Sequence, residues 1–279
     1  MEVKSALGRT ARGYKLEHKK GVGFFRAQSL LNHRGVAHGF TSREGGVSEP
    51  PFNGLNLGWS REEPVDNIRE NYLRLCAAAD LEYECLTLVS YEHGVTVLRV
   101  DVRDRGRGLD EAPLPACDAI VTDDPRVTLV TSHADCTGLF FFDPVRRAIG
   151  LAHAGWRGTL GRIGGRTVDM LRSSFGSDPK DVIAAVGPCI CRNCYEVDGA
   201  LGKRFLEEFP GAPIADAVAD GKFMLDLEMA CAVQLLDAGL KPENITLMNA
   251  CTFELSDLLF SHRRDHGQTG AMAAYIKLL

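Results

Sequence analysis

The sequence predicts an α/β protein in which short buried strands alternate with helices. Three apolar runs lie close together, and each is too short for a helix and rich in β-branched or aromatic residues. These runs predict buried strands at 127–131, 139–142 and 148–152. Two further patterns place a helix before a strand, at 159–174 with 182–186 and at 226–238 with 245–248. Because helix and strand recur in this order, we expect a sheet covered by helices.

The first part of the chain is expected to be a loose tail. Residues 1–20 contain six Lys or Arg against two Glu and show no apolar periodicity, which is typical of a solvated segment. We therefore expect residues 1–35 to be a tail and lead-in, and residues 36–279 to form a single domain.

One helix and two strands are predicted next. The helix ends at Ala79 and has Asp66 or Asn67 as its N-cap. Its apolar residues recur at helical spacing and predict one buried face, formed by Ile68, Tyr72, Leu75 and Cys76. Strands are predicted at 86–90 and 95–100, with a turn between them.

Composition excludes several classes of protein. No run approaches the roughly twenty apolar residues that cross a bilayer, and the amino terminus lacks the apolar core of a signal peptide. Nine cysteines without an export signal favour free thiols in a reducing cytoplasm. The net charge of −5 argues against general nucleic-acid binding, which needs a basic surface.

Three metal-binding side chains are predicted to lie at strand ends. Asp135 and Cys136 come shortly after the first of the three apolar runs, and His153 follows the third. His93 precedes Gly94 in the turn between two strands, where glycine permits a sharp bend. Side chains at strand ends are held rigidly beside a crevice, which is where α/β proteins place their sites.

Two kinds of chemistry suit these residues. Two imidazoles and one thiolate are preferred zinc ligands, and three protein ligands leave a position open for water, as in catalytic zinc sites. Alternatively, Cys136 is a nucleophile and His153 its base, with Asp135 orienting the pair or supporting a metal ligand. His133 competes for either role, but its position inside a strand end favours packing or hydrogen bonding.

Three arginines are candidates for binding an anion. Arg43 lies in a glycine-rich loop, and Arg157 lies just before the helix predicted at 159–174, whose first turn has free N–H groups that also attract anions. Arg263 and Arg264 follow Ser261 near the carboxyl terminus, and guanidinium groups match phosphate oxygens well.

Cys189, Cys191 and Cys194 form the densest thiol cluster in the sequence. Such a run can bind zinc or part of an iron–sulfur cluster. Because no fourth ligand lies nearby in the sequence, we do not expect a dedicated metal there.

Seven sequence blocks together resemble the YfiH-like laccase-domain family. The blocks are 38–46 (HGFTSREGG), 93–94 (HG), 118–122 (DAIVT), 134–136 (ADC), 153–158 (HAGWRG), 187–188 (GP) with 195–197 (YEV), and 251–252 (CT) with 260–264 (FSHRR). They occur in the family's order from about residue 36 to the carboxyl terminus. The resemblance implies an α+β fold of mixed sheets flanked by helices, related to cysteine-histidine toxin hydrolases.

The resemblance also implies a metal site and an activity. In the family, the residues that correspond to His93, Cys136 and His153 hold the metal. Members have been described as polyphenol oxidases, and later as purine nucleoside phosphorylases with adenosine deaminase activity. This chain departs from the family pattern at Tyr91, where glutamine is usual, and at Thr137, where proline is usual. A further departure is Ala271, which replaces a common arginine and removes a possible anion contact.

The expected function is that of a zinc-dependent purine nucleoside phosphorylase acting on adenosine, inosine or methylthioadenosine, with adenosine deaminase activity. Its expected substrates are purine nucleosides and inorganic phosphate, with Arg43, Arg157 and Arg263 binding phosphate. Asp135 or Glu44 would supply the carboxylate that deamination needs. No His-x-His pair occurs among the eight histidines, which disfavours a multicopper cluster.

Three alternatives stay open. The first is a polyphenol oxidase with a single copper ion bound by His93, Cys136 and His153, since these ligands bind copper tightly. The second is a hydrolase that acts on cell-wall precursors through Cys136 and His153. The third is a non-enzymatic protein with a structural zinc ion, which would need a fourth protein ligand.

Overall fold

The structure, a computed structural model, describes residues 2–59 and 62–279. The helices of this part of the chain are α1 (Glu2–Leu7), α2 (Gln28–Leu31), α3 (Val65–Ala79), α4 (Trp156–Leu160), α5 (Ile163–Phe175), α6 (Gly199–Glu208) and α7 (Leu227–Asp237). The strands are β1 (Ala11–Arg12), β2 (Tyr14–Lys19), β3 (Val22–Ala27), β4 (Val36–Thr41), β5 (Leu86–Leu88), β6 (Val97–Arg99), β7 (Ala119–Thr122), β8 (Thr128–His133), β9 (Thr137–Asp143), β10 (Ala148–Ala154), β11 (Ile183–Val186), β12 (Glu196–Val197), β13 (Ala215–Ala217), β14 (Phe223–Leu225), β15 (Ile245–Leu247) and β16 (Met272–Leu278).

Two large mixed sheets form the body of the protein. The first has the strand order β1-β15-β11-β9-β10-β7-β6, and its centre is the antiparallel hairpin of β9 and β10. The second has the order β2-β3-β4-β16-β8-β5, and β5 alone pairs in parallel, with β8. A small third sheet has the order β12-β14-β13. The fold is therefore α+β with mixed sheets and helices, as the resemblance implied.

Alternating side chains place the two large sheets face to face. Phe140 and Phe142 of β9 belong to a core that also contains Ile276 of β16, whereas Leu139 and Phe141 belong to a core shared with the helices α5 and α7. This period of two is the pattern of a strand that is buried on both faces. The outer face of the second sheet packs on α3, so the layers run helix, sheet, sheet, helix.

The connection from β8 to β9 joins the two large sheets. Strand β8 ends at His133 in the second sheet, and β9 begins at Thr137 in the first. Asp135 in this short turn has a φ of 87°, a left-handed conformation that is uncommon outside glycine. The turn places Cys136 between the end of β8 and the start of β9, where the chain passes from one sheet to the other.

The loose tail predicted for residues 1–20 is wrong for the residues that the structure describes; Met1 lies outside them. Strand β2 pairs along its whole length with β3, which in turn pairs with β4. Two of the six basic residues that suggest a solvated tail, Lys15 and Lys19, lie on the edge strand β2, where charged side chains remain in water.

The helix predicted at 159–174 is interrupted and begins earlier than expected. Helix α4 starts at Trp156, and α5 follows after Arg162. The left-handed φ of 60° at Arg162 separates the two helices. The helix predicted through Ala79 is confirmed with its buried face, but its predicted cap is wrong, because Pro64 takes the N-cap position. The predicted helix at 226–238 is confirmed, with Asp226 as its cap.

Among the described residues, no helix combines the length and the apolar character needed to cross a membrane.

Candidate metal and substrate site

The wall of a cavity of about 740 Å³ contains the three predicted metal ligands, His93, Cys136 and His153, which are called the trio below. Its size falls in the range of small-molecule sites, which is about 300–1,000 Å³. The lining residues that matter for the chemistry are Trp59, Tyr91, His93, Glu111, Cys136 and His153.

The three predicted ligands converge on the backbone of Gly155. A Cβ atom built on Gly155 would lie 3.1 Å from Cys136 Sγ, 3.6 Å from His153 Cε1 and 4.0 Å from His93 Cδ2. The rings of His93 and His153 are 5.3 Å apart and nearly perpendicular. Residues separated by up to 60 positions in the sequence therefore lie around one glycine, although their ligand atoms are not all within 4.8 Å of one another in this structure.

Asp118 is a buried carboxylate that fixes both histidines. Its Oδ1 accepts a hydrogen bond from His153 Nδ1 at 3.1 Å, and its two oxygens also accept from the backbone N–H groups of His93 and Gly94. Burial alone would raise the pKa of Asp118, but these donors and the His153 charge outweigh burial and lower that pKa. Asp118 therefore stays ionised. Because it binds Nδ1 of His153, it directs the other ring nitrogen, Nε2, toward the other two side chains of the trio.

The electrostatics of the trio depend on Cys136. Burial lowers the pKa of His153, but the charge of Cys136 and the hydrogen bond to Asp118 outweigh burial and raise it to about 9. Desolvation and the charge of His153 lower the pKa of His93. A cation among these side chains would displace the proton from His153, and its ligands would be neutral imidazoles and a thiolate. The donor set fits zinc or copper.

His133 lies beside the trio but has no ring nitrogen left for a metal. Nε2 is 2.7 Å from Thr131 Oγ1, and Nδ1 is 3.1 Å from the carbonyl oxygen of Cys136. The expected role of His133 in hydrogen bonding is confirmed. Its ring also packs against His153, at a centroid separation of 5.5 Å.

Asp135 holds the turn that carries Cys136. Its Oδ1 accepts from Thr252 Oγ1 at 2.5 Å and its Oδ2 accepts from the Arg263 backbone N–H at 2.7 Å. Its carbonyl oxygen accepts from the Ile190 N–H at 3.1 Å. These bonds occupy both carboxylate oxygens, so the geometry suits a positioning role for Asp135.

The three predicted phosphate-binding arginines are not all in one place. Arg43 donates to Asn53 and to the Ser256 carbonyl oxygen, and it stacks on Phe260, so it is held among loop residues. Arg157 is exposed and lies over the ring of Trp156. Its charge acts on His93 and on Tyr195.

Arg263 approaches the trio from another loop. Its guanidinium lies 5.0 Å from the ring centroid of Tyr195 and donates to the Glu196 carbonyl oxygen. Burial raises the pKa of Tyr195 to about 12, with a contribution from Cys136, while Arg263 and Arg157 oppose the increase. Arg157 and Arg263 are thus both within electrostatic range of Tyr195, near Cys136.

Sequence reasoning missed two residues that orient the trio. Asp118 was visible as the carboxylate that begins the DAIVT block, directly before a buried apolar run. Tyr91 was noted only as a departure from the family pattern. Its hydroxyl accepts from the Ser132 N–H, and its ring packs edge-on against His153 at 4.7 Å between centroids.

We expect Asp118→Asn to lower metal affinity and activity by about 10- to 100-fold, the usual effect of removing the carboxylate behind a metal-binding histidine. Asparagine keeps the shape of the side chain, but its single oxygen cannot accept hydrogen bonds from His153 Nδ1 and from the backbone N–H groups of His93 and Gly94 at the same time. Zinc dissociation constants and kcat/KM measure the effect. Asp123→Asn, an exposed partner of Arg99, is the matched control. Unchanged zinc affinity in a folded Asp118→Asn protein would contradict the role of Asp118.

Sequence comparison finds related proteins over nearly the whole chain. Purine nucleoside phosphorylase YlmD of Bacillus subtilis (strain 168) is 35% identical over 257 residues, which cover 90% of this chain and 91% of YlmD. Purine nucleoside phosphorylase YfiH of Escherichia coli (strain K12) is 32% identical over 246 residues, which cover 88% of this chain and 95% of YfiH.

Solved structures share the fold. The crystal structure of YlmD from Geobacillus stearothermophilus superposes with a TM-score of 0.89 at 32% identity, covering 95% of this chain and 98% of that protein. The crystal structure of the Bacillus licheniformis hypothetical protein YfiH superposes with a TM-score of 0.86 at 30% identity, covering 95% and 99% of the two chains.

A family model described as multi-copper polyphenol oxidoreductase laccase matches residues 37–279. The match includes every residue of the trio together with Asp118, and the curated relatives above carry the name purine nucleoside phosphorylase. The chain therefore belongs to this laccase-like family, the family of YlmD and YfiH.

Proposed function

We propose that the protein is a zinc-dependent purine nucleoside phosphorylase that also deaminates adenosine. The observation that carries the proposal is the convergence of His93, Cys136 and His153 in the wall of a cavity of about 740 Å³. The names of the relatives from Bacillus subtilis and Escherichia coli support the same reaction.

The cavity offers groups for each part of a nucleoside. Trp59 is 48% exposed and lines the cavity, so its ring is available to contact a purine base. His262 and Thr269 also line the cavity and offer hydrogen bonds to ribose hydroxyls. The polar and apolar groups together suit a nucleoside better than a purely apolar ligand.

Phosphorolysis needs a phosphate oxygen to attack the ribose C1′ while the base leaves. Positive charge develops on the sugar, and the attacking phosphate must be held in place. Neither arginine lines the cavity, but Arg157 and Arg263 are the arginines that we assign to phosphate, because Arg157 follows Gly155 by two residues and the Arg263 backbone N–H donates to Asp135, the neighbour of Cys136. A zinc ion held by the trio would supply a Lewis acid at the same place.

Deamination of adenosine needs a carboxylate to move a proton during the attack of water on C6. Both Asp135 oxygens accept structural hydrogen bonds, and Glu44 accepts from Ser42 and lies 3.0 Å from His18. Glu111 lines the cavity, and we assign the proton transfer to it.

The test is a panel of adenosine, inosine and methylthioadenosine incubated with pure protein, with and without phosphate. We expect free base and the pentose 1-phosphate in equal amounts, only when phosphate is present, and inosine from adenosine in its absence. Chelation should stop both reactions, and added zinc should restore them. Base release that does not depend on phosphate would contradict the proposed phosphorolysis.

A second candidate function has one specific observation in its favour. Cys136, His153 and Asp118 form a thiol, imidazole and carboxylate series, because His153 Nδ1 is 3.1 Å from Asp118 and the Cys136 charge raises the pKa of His153. Such a series can activate a cysteine nucleophile for hydrolysis. Alkylation of Cys136 in metal-free protein separates the two candidates, since only the hydrolase would be active before alkylation.

A further inference from the structure

A second group of potential metal ligands lies outside the trio. The ligand atoms of Cys191, Cys194, Cys251 and Glu254 all lie within 4.8 Å of one another. Cys191 Sγ and Cys194 Sγ are each 3.7 Å from Glu254 Oε1. The sequence offers no fourth ligand near Cys189, Cys191 and Cys194, because Cys251 and Glu254 lie 57 or more residues beyond Cys194, and Cys189 is not part of the group that the fold assembles.

The spacing of these atoms matches that of a tetrahedral zinc site. Bonds of about 2.3 Å to sulfur and about 2.0–2.2 Å to a carboxylate oxygen place each sulfur roughly 3.5–3.7 Å from the oxygen. Both measured sulfur-to-oxygen separations are 3.7 Å. The four side chains therefore already surround a space of the right size for a cation.

Two loops bring the ligands together and fix their geometry. A parallel bridge pairs Cys189 with Cys251, and the Cys191 N–H donates to Cys251 Sγ at 3.3 Å. Each loop supplies two ligands with two residues between them, as Cys-x-x-Cys and Cys-x-x-Glu. Paired ligands at this spacing, with backbone N–H groups donating to sulfur, are typical of structural zinc sites.

We propose that Cys191, Cys194, Cys251 and Glu254 bind a second zinc ion. Four protein ligands close the coordination sphere, so the ion is structural and takes no substrate. Three thiolates favour a soft or borderline metal, and the carboxylate oxygen favours zinc over Cu(I). The nine cysteines are free in this structure, so each thiol is available as a ligand.

The second site supports the loops that hold the catalytic turn. Thr252, next to Cys251, donates to Asp135 Oδ1, and Ile190, next to Cys191, donates to the Asp135 carbonyl oxygen. Tyr195, which directly follows Cys194, stacks with Arg263. Zinc at the second site would thus fix the position of Asp135 and, through it, of Cys136.

Metal analysis of the full-length protein, purified without chelator, tests the proposal independently of any nucleoside activity. We expect about two zinc ions per chain, falling to about one in Cys194→Ser, to about one in His153→Ala and to none in the double variant. Cys85→Ser is the matched control, since Cys85 Sγ is 3.0 Å from Glu82 Oε2 without belonging to the cluster. This control should keep both ions.

Cobalt provides a second measurement if Cys194→Ser folds poorly. In His153→Ala, Co²⁺ should bind with the strong near-ultraviolet absorption of several thiolate ligands and the visible bands of a tetrahedral site. Glu254→Gln, at an exposed position, should keep the fold and weaken this binding by about 10-fold or more. A single zinc that disappears completely in His153→Ala, or a Cys191–Cys194 disulfide in the purified protein, would overturn the proposal.

Discussion

Replacing His153 with alanine should reduce adenosine phosphorolysis by about 10³-fold or more and remove one zinc ion from each chain. The substitution deletes a predicted ligand and leaves Asp118 buried without its imidazole partner. Loss of a catalytic metal removes several kcal/mol of transition-state stabilisation, which corresponds to this factor. The rate of free-base formation and the zinc content, measured on the same preparation, check both parts.

The matched control is His18→Ala. This histidine is exposed and pairs with Glu44 outside the cavity, so its removal should leave the rate and the zinc content unchanged. Retention of full phosphorolysis by His153→Ala would exclude His153 as a ligand of a catalytic metal.

The second large effect is expected for Gly155→Ala, which adds one methyl group between the three predicted ligands. The backbone of Gly155 has φ −74° and ψ 175°, a conformation that alanine adopts freely, so the fold should persist. The added Cβ would lie 3.1 Å from Cys136 Sγ, which forces the thiol or the loop to move. We expect zinc affinity and kcat/KM to fall by about 10²-fold or more, since small displacements of catalytic groups have effects of this size.

Gly165→Ala is the control for this substitution. Gly165 lies in α5, and a Cβ there would meet only Ala238 at 4.0 Å. Thermal unfolding should show that both variants are folded, and only Gly155→Ala should lose zinc. Normal zinc affinity in Gly155→Ala would show that the three side chains do not meet around Gly155 in solution.

The strands that carry the site were predictable because their residues have a strong local pattern. The run Leu139–Phe142 is apolar at every position, which indicates a strand buried on both faces, and the structure places it in β9 between two cores. The hairpin turn after it was also predictable, since Asp143 and Pro144 favour turns. The strand assignment needed no knowledge of distant residues.

Contacts between distant segments could not be read from local patterns. Asp118 is bound to His153 across 35 positions, and Cys191 meets Glu254 across 63 positions. Neither pair has a fixed spacing that a motif could reveal, because both depend on how the strands are ordered in the sheet. Strand β2 was missed for a similar reason, since its pairing with β3 outweighs its polar composition.

The histidines close to the trio bear on the multi-copper description that the matching family model carries. A multicopper cluster needs many imidazoles, and of the histidines near the trio His133 has both ring nitrogens engaged. His38 is held in the second sheet, where its Nε2 accepts from the Ala27 N–H. We expect the side chains around Gly155 to provide ligands for a single ion.

The most direct test is anomalous X-ray diffraction at the zinc edge from crystals of the protein purified without chelator. We expect a strong peak within bonding distance of Cys136 Sγ and of one ring nitrogen from each of His93 and His153. Catalytically active crystals with no peak among these three side chains would contradict this expectation.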